Sequence, residues 1–506
     1  MKKLAIIFIL GLVVPNLNAQ SIFDAYQYSK QDILGTARYR GMSGAFGALG
    51  GDLSALHRNP AGGAIFERGA AAFTLSTYTL DNETGYFNEF TTTSIRDVEF
   101  NQGGGLIVFN NGNSNSPWKK IALAFNYDRT SNFDDEFVAS GISNTSVDQY
   151  FLINAQGVPL DLLQLQDNES IDDLYQFLGE NEGFSAQQAF LGYQAFVIEP
   201  NDNNDPNNTA YFSNVASGNF DQRYLYSSFG YNGQGNFNLS TQYGEQLYLG
   251  VNLNTHFFDL SRTTILEEQN SNSGSLINSI QFENNLRSLG SGFSFQLGGI
   301  LEVNPQLRLG ATYNSPTWFE ISEETTQGIR TERSVDDQVL TELIRPNVIN
   351  IYENYRLKTP DSYTGSASYI FGPQGLISFD YTFTNYDSME FRPTGDAFFQ
   401  QQNNAIGSTF KGAATYRIGG EYRVEQWSLR GGYRFEESPT EDENLIGSLQ
   451  GFSLGLGYSF GNTRLDFAYD RSQRERAQFL YETGLTTTAQ VEQSLSNFVA
   501  TLSFKL

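Results

Sequence analysis

The clearest pattern in the chain is a strict alternation of large apolar and small or polar residues near its C-terminal end. From Phe452 to Phe460 every second residue is large and apolar, and only Ser or Gly stands between them. The last residues, 498–506, repeat the pattern. Because successive side chains of a strand point to opposite faces, each run is predicted to be a strand with one apolar and one polar face. Lipid outside and a polar lumen inside a closed barrel require such strands.

Similar runs recur from Gly69 to the end of the chain. They predict an all-β fold, an antiparallel transmembrane barrel of about 14 strands, because bacterial single-chain barrels have even strand numbers. Short connections at Phe460–Thr463 and Phe371–Gly375 are predicted to be periplasmic turns. The candidate strands are 69–80, 84–93, 103–110, 119–129, 223–243, 246–260, 289–303, 306–316, 362–371, 375–387, 411–424, 426–436, 450–460, 463–475 and 495–506.

Before the alternation starts, two segments have a different character. Residues 1–19 combine a basic start, an apolar stretch and a small residue at Ala19, which predicts a secretory signal peptide. Residues 20–67 do not alternate and are rich in Gly and Ala, with glycines at 41, 44, 47 and 50. Glycines at such intervals permit close packing, so this segment is predicted to pack tightly inside the barrel.

The longest interruption of the strand pattern is residues 130–222. It contains helix-like patches at Ser170–Leu178 and Ser185–Gly192. Long loops of such barrels face outward, and loops of this length are usually functional or disordered. The segment is therefore predicted to be a partly ordered extracellular loop.

The formal net charge of −25 excludes nucleic acid as a partner, because phosphate binding needs a basic surface. Much of the acidity lies in the predicted loops, where solvated surface is the plain interpretation. A second interpretation is divalent-cation bridging to lipopolysaccharide, since hard cations take oxygen ligands. Outer-membrane lipids and lipopolysaccharide are thus the predicted surroundings, and the chain is predicted to be a monomer.

Catalysis has little support in the sequence. The chain has no Cys, and its two histidines, His57 and His256, are far apart. Ser408–Lys411 matches Ser-x-x-Lys, but the partner motifs of that enzyme class are missing. No catalytic residue, metal site or cofactor is predicted.

Five groups of residues, in order along the chain, resemble the FadL/TodX family of outer-membrane hydrophobic-compound transporters. The first runs from Gly41 through Asp52–Leu56 to Asn59-Pro60-Ala61-Gly62, and the others lie at 307–316, 359–362, 379–386 and 418–439. The resemblance implies a 14-stranded barrel, residues 68–506, plugged by an N-terminal hatch, residues 20–67. It also implies passive uptake of hydrophobic molecules, such as long-chain fatty acids or hydrocarbons, with lateral exit into the membrane after the hatch shifts.

The hatch residues expected to take part in gating are Gly41, Gly44, Gly47, Asn59, Pro60, Ala61 and Gly62. The alternative for the last four is a fixed turn, since Asn-Pro initiates turns. His57-Arg58 departs from the apolar pair expected before Asn59. The loops are also longer and more acidic than a minimal transporter needs. A second function therefore stays open, a surface or secretion-linked barrel that interacts with other proteins.

Two sets of residues are candidates for ligand contact. Arg430 and Arg434 alternate onto the lumen face, where they would meet the carboxylate of a fatty acid or form internal ion pairs with Glu421, Asp466 or Asp470. The apolar residues of the long loop have two alternative roles: they would line a groove for a hydrophobic ligand, or they would form the small core of a folded loop. They are Phe184, Phe190, Tyr193 and Phe196.

Overall fold

The computed structural model describes residues 21–113, 115–336 and 338–506. The predicted signal peptide, residues 1–19, lies outside the described residues. The α-helices are α1 (Ile22–Ser29), α2 (Ala37–Arg40), α3 (Asp148–Ala155), α4 (Ile171–Asn181), α5 (Phe184–Gln194) and α6 (Ala397–Thr409). Short 3-10 helices lie at Ser54–His57, Pro60–Ile65, Leu160–Leu162, Gly372–Gln374 and Tyr386–Ser388.

The strands form one large antiparallel sheet and one small hairpin, β5–β6, outside it. They are β1 (Ala70–Tyr86), β2 (Glu89–Asn110), β3 (Trp118–Asn132), β4 (Asp135–Ser143), β5 (Ile198–Pro200), β6 (Tyr211–Ser213), β7 (Phe220–Tyr243), β8 (Leu247–Asn270), β9 (Ile277–Glu302), β10 (Leu307–Asn314), β11 (Trp318–Val335), β12 (Gln338–Ile344), β13 (Asn350–Ile351), β14 (Tyr355–Lys358), β15 (Ser362–Ile370), β16 (Gly375–Asn385), β17 (Glu390–Arg392), β18 (Gly412–Val424), β19 (Trp427–Glu436), β20 (Ile446–Ser459), β21 (Thr463–Phe479) and β22 (Thr488–Lys505).

The large sheet closes into a barrel because β22 pairs with β1 from one end to the other. Four wall positions are built from more than one segment, namely β3–β4, β10–β11, β12–β15 and β16–β17. Counted by position, the wall is a closed antiparallel barrel of 14 strands, so the predicted fold is confirmed. Closure removes the unpaired sheet edges that lipid would not tolerate.

The alternation in the sequence orients the strands as expected. On β1, Phe73 and Leu75 are more than half exposed on the outside, whereas Thr74 and Ser76 are buried in the lumen. Among the described residues, no helix is both long enough and apolar enough to cross a membrane.

The two ends of the barrel differ in their connections. The turn after β20 lies with most of the other short turns at the end of the barrel where β1 begins and β22 ends, so this end is the periplasmic one. The opposite end carries a cap made of α3 to α5 and the β5–β6 hairpin, which shares a hydrophobic core with the strand extensions below it.

The long insertion is shorter in the structure than in the prediction. Residues 130–132 belong to β3, and β4 pairs with β7 from residue 135 to 143. The insertion between β4 and β7 is therefore 144–219, shorter than the predicted 130–222.

Residues 21–66 are packed inside the barrel, where most of their side chains are buried. Local capping defines their helices. The Ser21 side chain accepts a hydrogen bond from Phe23 N at the start of α1, and the Thr36 side chain accepts one from Tyr39 N at the start of α2. With its helices this short, the segment gains most of its order from the surrounding wall.

Candidate functional site: hatch, lumen chamber and a break in the wall

The Asn59–Gly62 turn is attached to both the hatch and the barrel wall. Asn59 Nδ2 donates to the carbonyl oxygens of Gly47, at 2.7 Å, and Gly299, at 3.1 Å. Asn59 Oδ1 accepts from Ala61 N at 3.0 Å, which caps the short helix that begins at Pro60. The side chain therefore fixes the turn on β9 as well as initiating it.

Glycines of the wall form the seat for this turn. A Cβ on Gly298 would lie 2.1 Å from Asn59 Oδ1, and one on Gly250 would lie 2.3 Å from the carbonyl carbon of Pro60. Both distances are far below van der Waals contact, so only glycine fits at either position. Neither of these two glycines was predicted as a site residue, although a glycine at a lumen-facing position within an alternating strand is a signal for such a close approach.

Two of the hatch glycines also lie close to the wall. A Cβ on Gly41 would lie 3.1 Å from Gly455 Cα, and one on Gly47 would lie 2.0 Å from Ser366 Oγ. Gly44 has a φ of +72°, a backbone conformation that favours glycine. Gly47 N and Phe46 N both donate to the carboxylate of Asp380 on β16.

A buried ion cluster joins the hatch to the wall on the opposite side of the lumen. Glu421 on β18 accepts from Arg38 Nε at 2.9 Å and from Arg430 Nε at 2.7 Å, and it also pairs with Arg423. Arg430 makes a further ion pair with Asp466, at 2.8 Å. The side chains of Arg430 and Glu421 are fully buried. Arg430 thus occupies the internal ion pair that the sequence left as its alternative role.

The other predicted arginine has a smaller set of contacts. Arg434 pairs with Glu436 at 3.5 Å. Asp470, a predicted partner, instead binds Arg40 of the hatch through two hydrogen bonds, 2.9 and 3.0 Å long. The sequence analysis did not single out Arg38 or Arg40, because nothing local in the hatch indicates which of its charges face the wall.

Above the rest of the hatch, α1 packs into an aromatic cluster that lines the lumen, which we call the chamber. The ring of Tyr28 stacks on Phe258 at 4.5 Å, and its hydroxyl donates to Ser288 Oγ at 3.0 Å. Asp24 forms a two-contact ion pair with Arg262, at 2.6 and 3.2 Å. The other large buried side chains of this cluster are Phe133, Phe319, Tyr355, Phe391, Phe399 and Phe410.

Next to this chamber the hydrogen-bond ladder of the wall is interrupted. The β2–β3 ladder ends at the pair Gln102–Asp128, and within the described part of the chain residues 89–101 have no ladder partner on β3 or β4. The strand bends between β3 and β4, where Phe133 N donates to Gly230 O at 2.9 Å. The Phe133 ring packs edge-on against Tyr28 and Phe258. The wall break and the chamber therefore adjoin.

Polar side chains bridge this wall break. Glu99 on β2 pairs with Arg129 on β3 at 2.5 Å, and the Arg129 guanidinium lies 4.7 Å from the ring centre of Tyr231. Higher up, Asn82 Nδ2 donates to Glu136 O at 2.7 Å. Such contacts shield backbone groups that lipid would otherwise leave unsatisfied. Unlike a continuous ladder, side-chain contacts can separate without unfolding the strands.

The apolar residues predicted in the long loop lie in the cap. Phe190 is fully buried in the cap core. Tyr193 and Phe196 are half-buried against that core, and Phe184, also half-buried, begins α5. The Arg333 guanidinium lies 4.0 Å from the ring centre of Phe196. These contacts correspond to the folded-loop interpretation.

The carboxylate of Glu268 is one of the connections between the cap and the wall extension. Glu268 on β8 accepts from Val147 N at 3.0 Å and from Gln222 Nε2 at 2.7 Å, and it also binds Ser146 Oγ. Burial raises the pKa of Glu268 to about 7, although these hydrogen bonds oppose the shift. One of the contacts between cap and wall therefore involves a carboxyl group whose pKa lies near neutral pH.

The two histidines lie at different levels of the lumen. His256 Nε2 is 2.8 Å from Ser294 Oγ, and His57 Nδ1 is 3.8 Å from Asp128 Oδ2. Among the described residues no carboxylate is paired with His256, so the third member of a nucleophile–base–acid arrangement is not present there.

A closed antiparallel barrel, an internal hatch and an apolar lumen chamber together define an outer-membrane transport barrel. The family model described as outer membrane protein transport protein (OMPP1/FadL/TodX) matches residues 210–505. This match spans more than half of the chain, and the protein belongs to that family. Its location is accordingly the outer membrane.

Solved structures show the same fold at low sequence identity. A Pseudomonas aeruginosa FadL homologue is 13% identical with a TM-score of 0.53, over 94% of this chain and 99% of the homologue. The Pseudomonas putida toluene transporter TodX gives the same identity and TM-score, over 94% of this chain and 100% of TodX. Among curated protein sequences, none matches this chain.

Proposed function

We propose that this barrel takes up hydrophobic molecules, such as long-chain fatty acids or hydrocarbons, passively across the outer membrane, with lateral exit through the wall break after the hatch shifts. The observation that carries the proposal is the aromatic chamber, occupied by α1, directly beside the interrupted β2–β3 ladder. A greasy ligand in this chamber gains about 0.8 kcal/mol per CH₂ by leaving into lipid rather than water.

The hatch contacts determine what has to move. α1 fills the chamber through Tyr28 and is attached by the Asp24–Arg262 pair, so a ligand can enter only if α1 gives way. The segment after it is connected to the wall break, because Asp32 N donates to Thr130 O at 2.8 Å and Asp32 Oδ2 accepts from Asn132 N at 3.2 Å. A shift of the hatch would therefore act on the chamber and the wall break together.

A disulfide lock tests this gating. Ser43 Oγ of the hatch lies 2.8 Å from Ser453 Oγ of β20. The chain has no native cysteine that would interfere with a disulfide introduced there. The variant S43C/S453C is oxidised in cells that lack their own uptake route, and entry of labelled oleate and of toluene is measured. Uptake is expected to fall to background and to return on reduction.

The matched control places the disulfide within the wall. Thr364 Oγ1 and Thr382 Oγ1 are 2.9 Å apart on neighbouring strands, so oxidised T364C/T382C leaves the hatch free. Its uptake is expected to equal that of the wild type. Normal uptake by the oxidised hatch-to-wall variant would refute gating by a shift of this part of the hatch.

A further inference from the structure

Just below the wall break, five buried polar side chains face the lumen from three neighbouring strands. Gln102, Asp128 and Gln234 are cross-strand partners at one level. Asn126 and Asn236 occupy the next level towards the periplasm, where β2 contributes Gly104 instead of a side chain. Each of the five side chains is at least nine-tenths buried.

Each of these side chains has a polar atom without a hydrogen-bond partner among the described residues. Gln102 Nε2 and Gln234 Nε2 are donors in this position, and the acceptors are Asn126 Oδ1, Asp128 Oδ1 and Asn236 Oδ1. Leaving such an atom unpaired in a buried site costs about 1–3 kcal/mol, so buried polar groups normally have a partner. Five such atoms on three neighbouring strands indicate a site that binds the polar atoms of a ligand.

We call these five side chains, four amides and the carboxylate of Asp128, the amide cluster. Its surroundings place it on the route from the chamber to the wall break. His256 is the next cross-strand partner of Gln234, and its ring packs edge-on to Phe319 of the chamber. On the other side, Gln102–Asp128 is the last ladder pair before the break. The hatch forms the floor, since His57 Nδ1 lies 3.8 Å from Asp128 Oδ2.

We infer that the amide cluster binds the neutral polar head of an amphipathic ligand, a hydroxyl or amide group on an apolar tail. This inference rests on the proposed function and names its preferred substrate class. A hydroxyl both donates and accepts, so it satisfies a glutamine donor and an asparagine acceptor at once. A hydrocarbon satisfies none of these atoms.

A carboxylate head fits poorly in the same place. It has no proton to donate to the three acceptors, and it would lie beside the buried carboxylate of Asp128. The guanidinium of Arg129, the neighbour of Asp128 in the chain, is already paired with Glu99. The charge of the cluster therefore selects against fatty-acid anions and in favour of uncharged heads.

Direct binding to the full-length protein in lipid nanodiscs tests this preference. Tritiated 1-dodecanol is competed with unlabelled 1-dodecanol, dodecanoate and dodecane, and empty nanodiscs correct for partitioning into lipid. We expect 1-dodecanol to bind at least tenfold more tightly than either of the others. Equal affinity for the three compounds, or the tightest binding for dodecanoate, would overturn the inference.

Variants separate the binding of the polar head by the amide cluster from the binding of the apolar tail. Q102M/Q234M removes both donors with little change of volume and is expected to abolish the preference for 1-dodecanol while dodecane binds as before. Q242M, on the same β7 strand but at its periplasmic end, is the control and should keep the preference. D128N is expected to strengthen dodecanoate binding at least tenfold.

The outcomes distinguish the two proposals. Tight binding of all three compounds without a preference contradicts the head-group inference and leaves hydrophobic uptake standing. Absence of binding by any of them contradicts both. If Q102M/Q234M does not fold, the wild-type ranking and D128N still decide the question.

Discussion

The ion cluster around Glu421 allows a quantitative prediction about how firmly the hatch is held. Glu421→Gln removes the carboxylate that faces Arg38 at 2.9 Å and Arg430 at 2.7 Å. Breaking a buried ion pair by removing one partner costs about 3–5 kcal/mol. Arg430 keeps Asp466, and Arg38 is 12% exposed, so we expect the lower end of this range, about 3 kcal/mol. That free energy corresponds to about a hundredfold more frequent opening of the hatch.

Native-state hydrogen exchange in nanodiscs measures this opening directly. Amides of residues 37–49 should lose about a hundredfold in protection in Glu421→Gln, whereas the wall strands keep theirs. The control is Glu267→Gln, which removes a carboxylate from a pair with Arg223 whose side chains are 38% and 49% exposed. Exposed pairs contribute about 0–1 kcal/mol, so the hatch protection should be unaffected.

A double variant sharpens the test. If the effect comes from an uncompensated guanidinium, adding Arg38→Met to Glu421→Gln should recover part of the lost protection, since both charges are then absent. Hatch exchange in Glu421→Gln within twofold of the control would refute the assignment of this cluster as an anchor.

Two further predictions concern the seat of the hatch and the cap. Gly298→Ala places a Cβ 2.1 Å from Asn59 Oδ1, so it should displace the Asn59–Gly62 turn and raise the entry of small antibiotics. The control Gly365→Ala, with open space at its Cβ, should leave antibiotic entry unchanged. Equal antibiotic entry through both variants would contradict the role of Gly298 as a seat for the turn. The raised pKa of Glu268, about 7 against a usual 4.5, means that the folded cap retains a proton that the unfolded segment releases. This contribution to cap stability is complete below pH 4.5 and is lost as the pH rises through 7, so protease should cut the cap faster at pH 8 than at pH 5.5. Glu268→Gln should remove that difference, and an unchanged pH dependence in this variant would exclude Glu268 as its source.

Much of the barrel was readable from the sequence because lipid and lumen impose a period of two on every strand. The faces of β1, β19 and β20 follow from that period alone, as Phe73, Leu429 and Leu454 on the outside show. The two-residue period no longer predicts a strand where the strand bends out of the wall. β4 was missed because the bend at Phe133 and Asp134 interrupts the alternation, so that the residues after the bend were assigned to a loop.

The candidate site was less readable, because its contacts join residues far apart in the chain. Arg430 was placed on the lumen side from alternation, with Glu421 as a possible partner, but the connection of Glu421 to Arg38 spans 383 residues. Nothing local shows that Gly250 and Gly298 lie against Pro60, or that Gln102 and Gln234 share a level with Asp128. Strand register and hatch position decide these contacts.

The sequence by itself determined the fold class, the facing of the strands and the presence of a Gly-rich N-terminal segment that does not alternate, since each depends on the local pattern and composition. The tertiary structure alone decided that α1 fills the chamber and that the β2–β3 ladder stops at Gln102. It also decided that polar side chains with atoms unpaired among the described residues lie together beneath the break. The physical reason is that facing depends on the order of neighbouring residues, whereas a chamber, a break and a binding site depend on which distant strands meet and at what register.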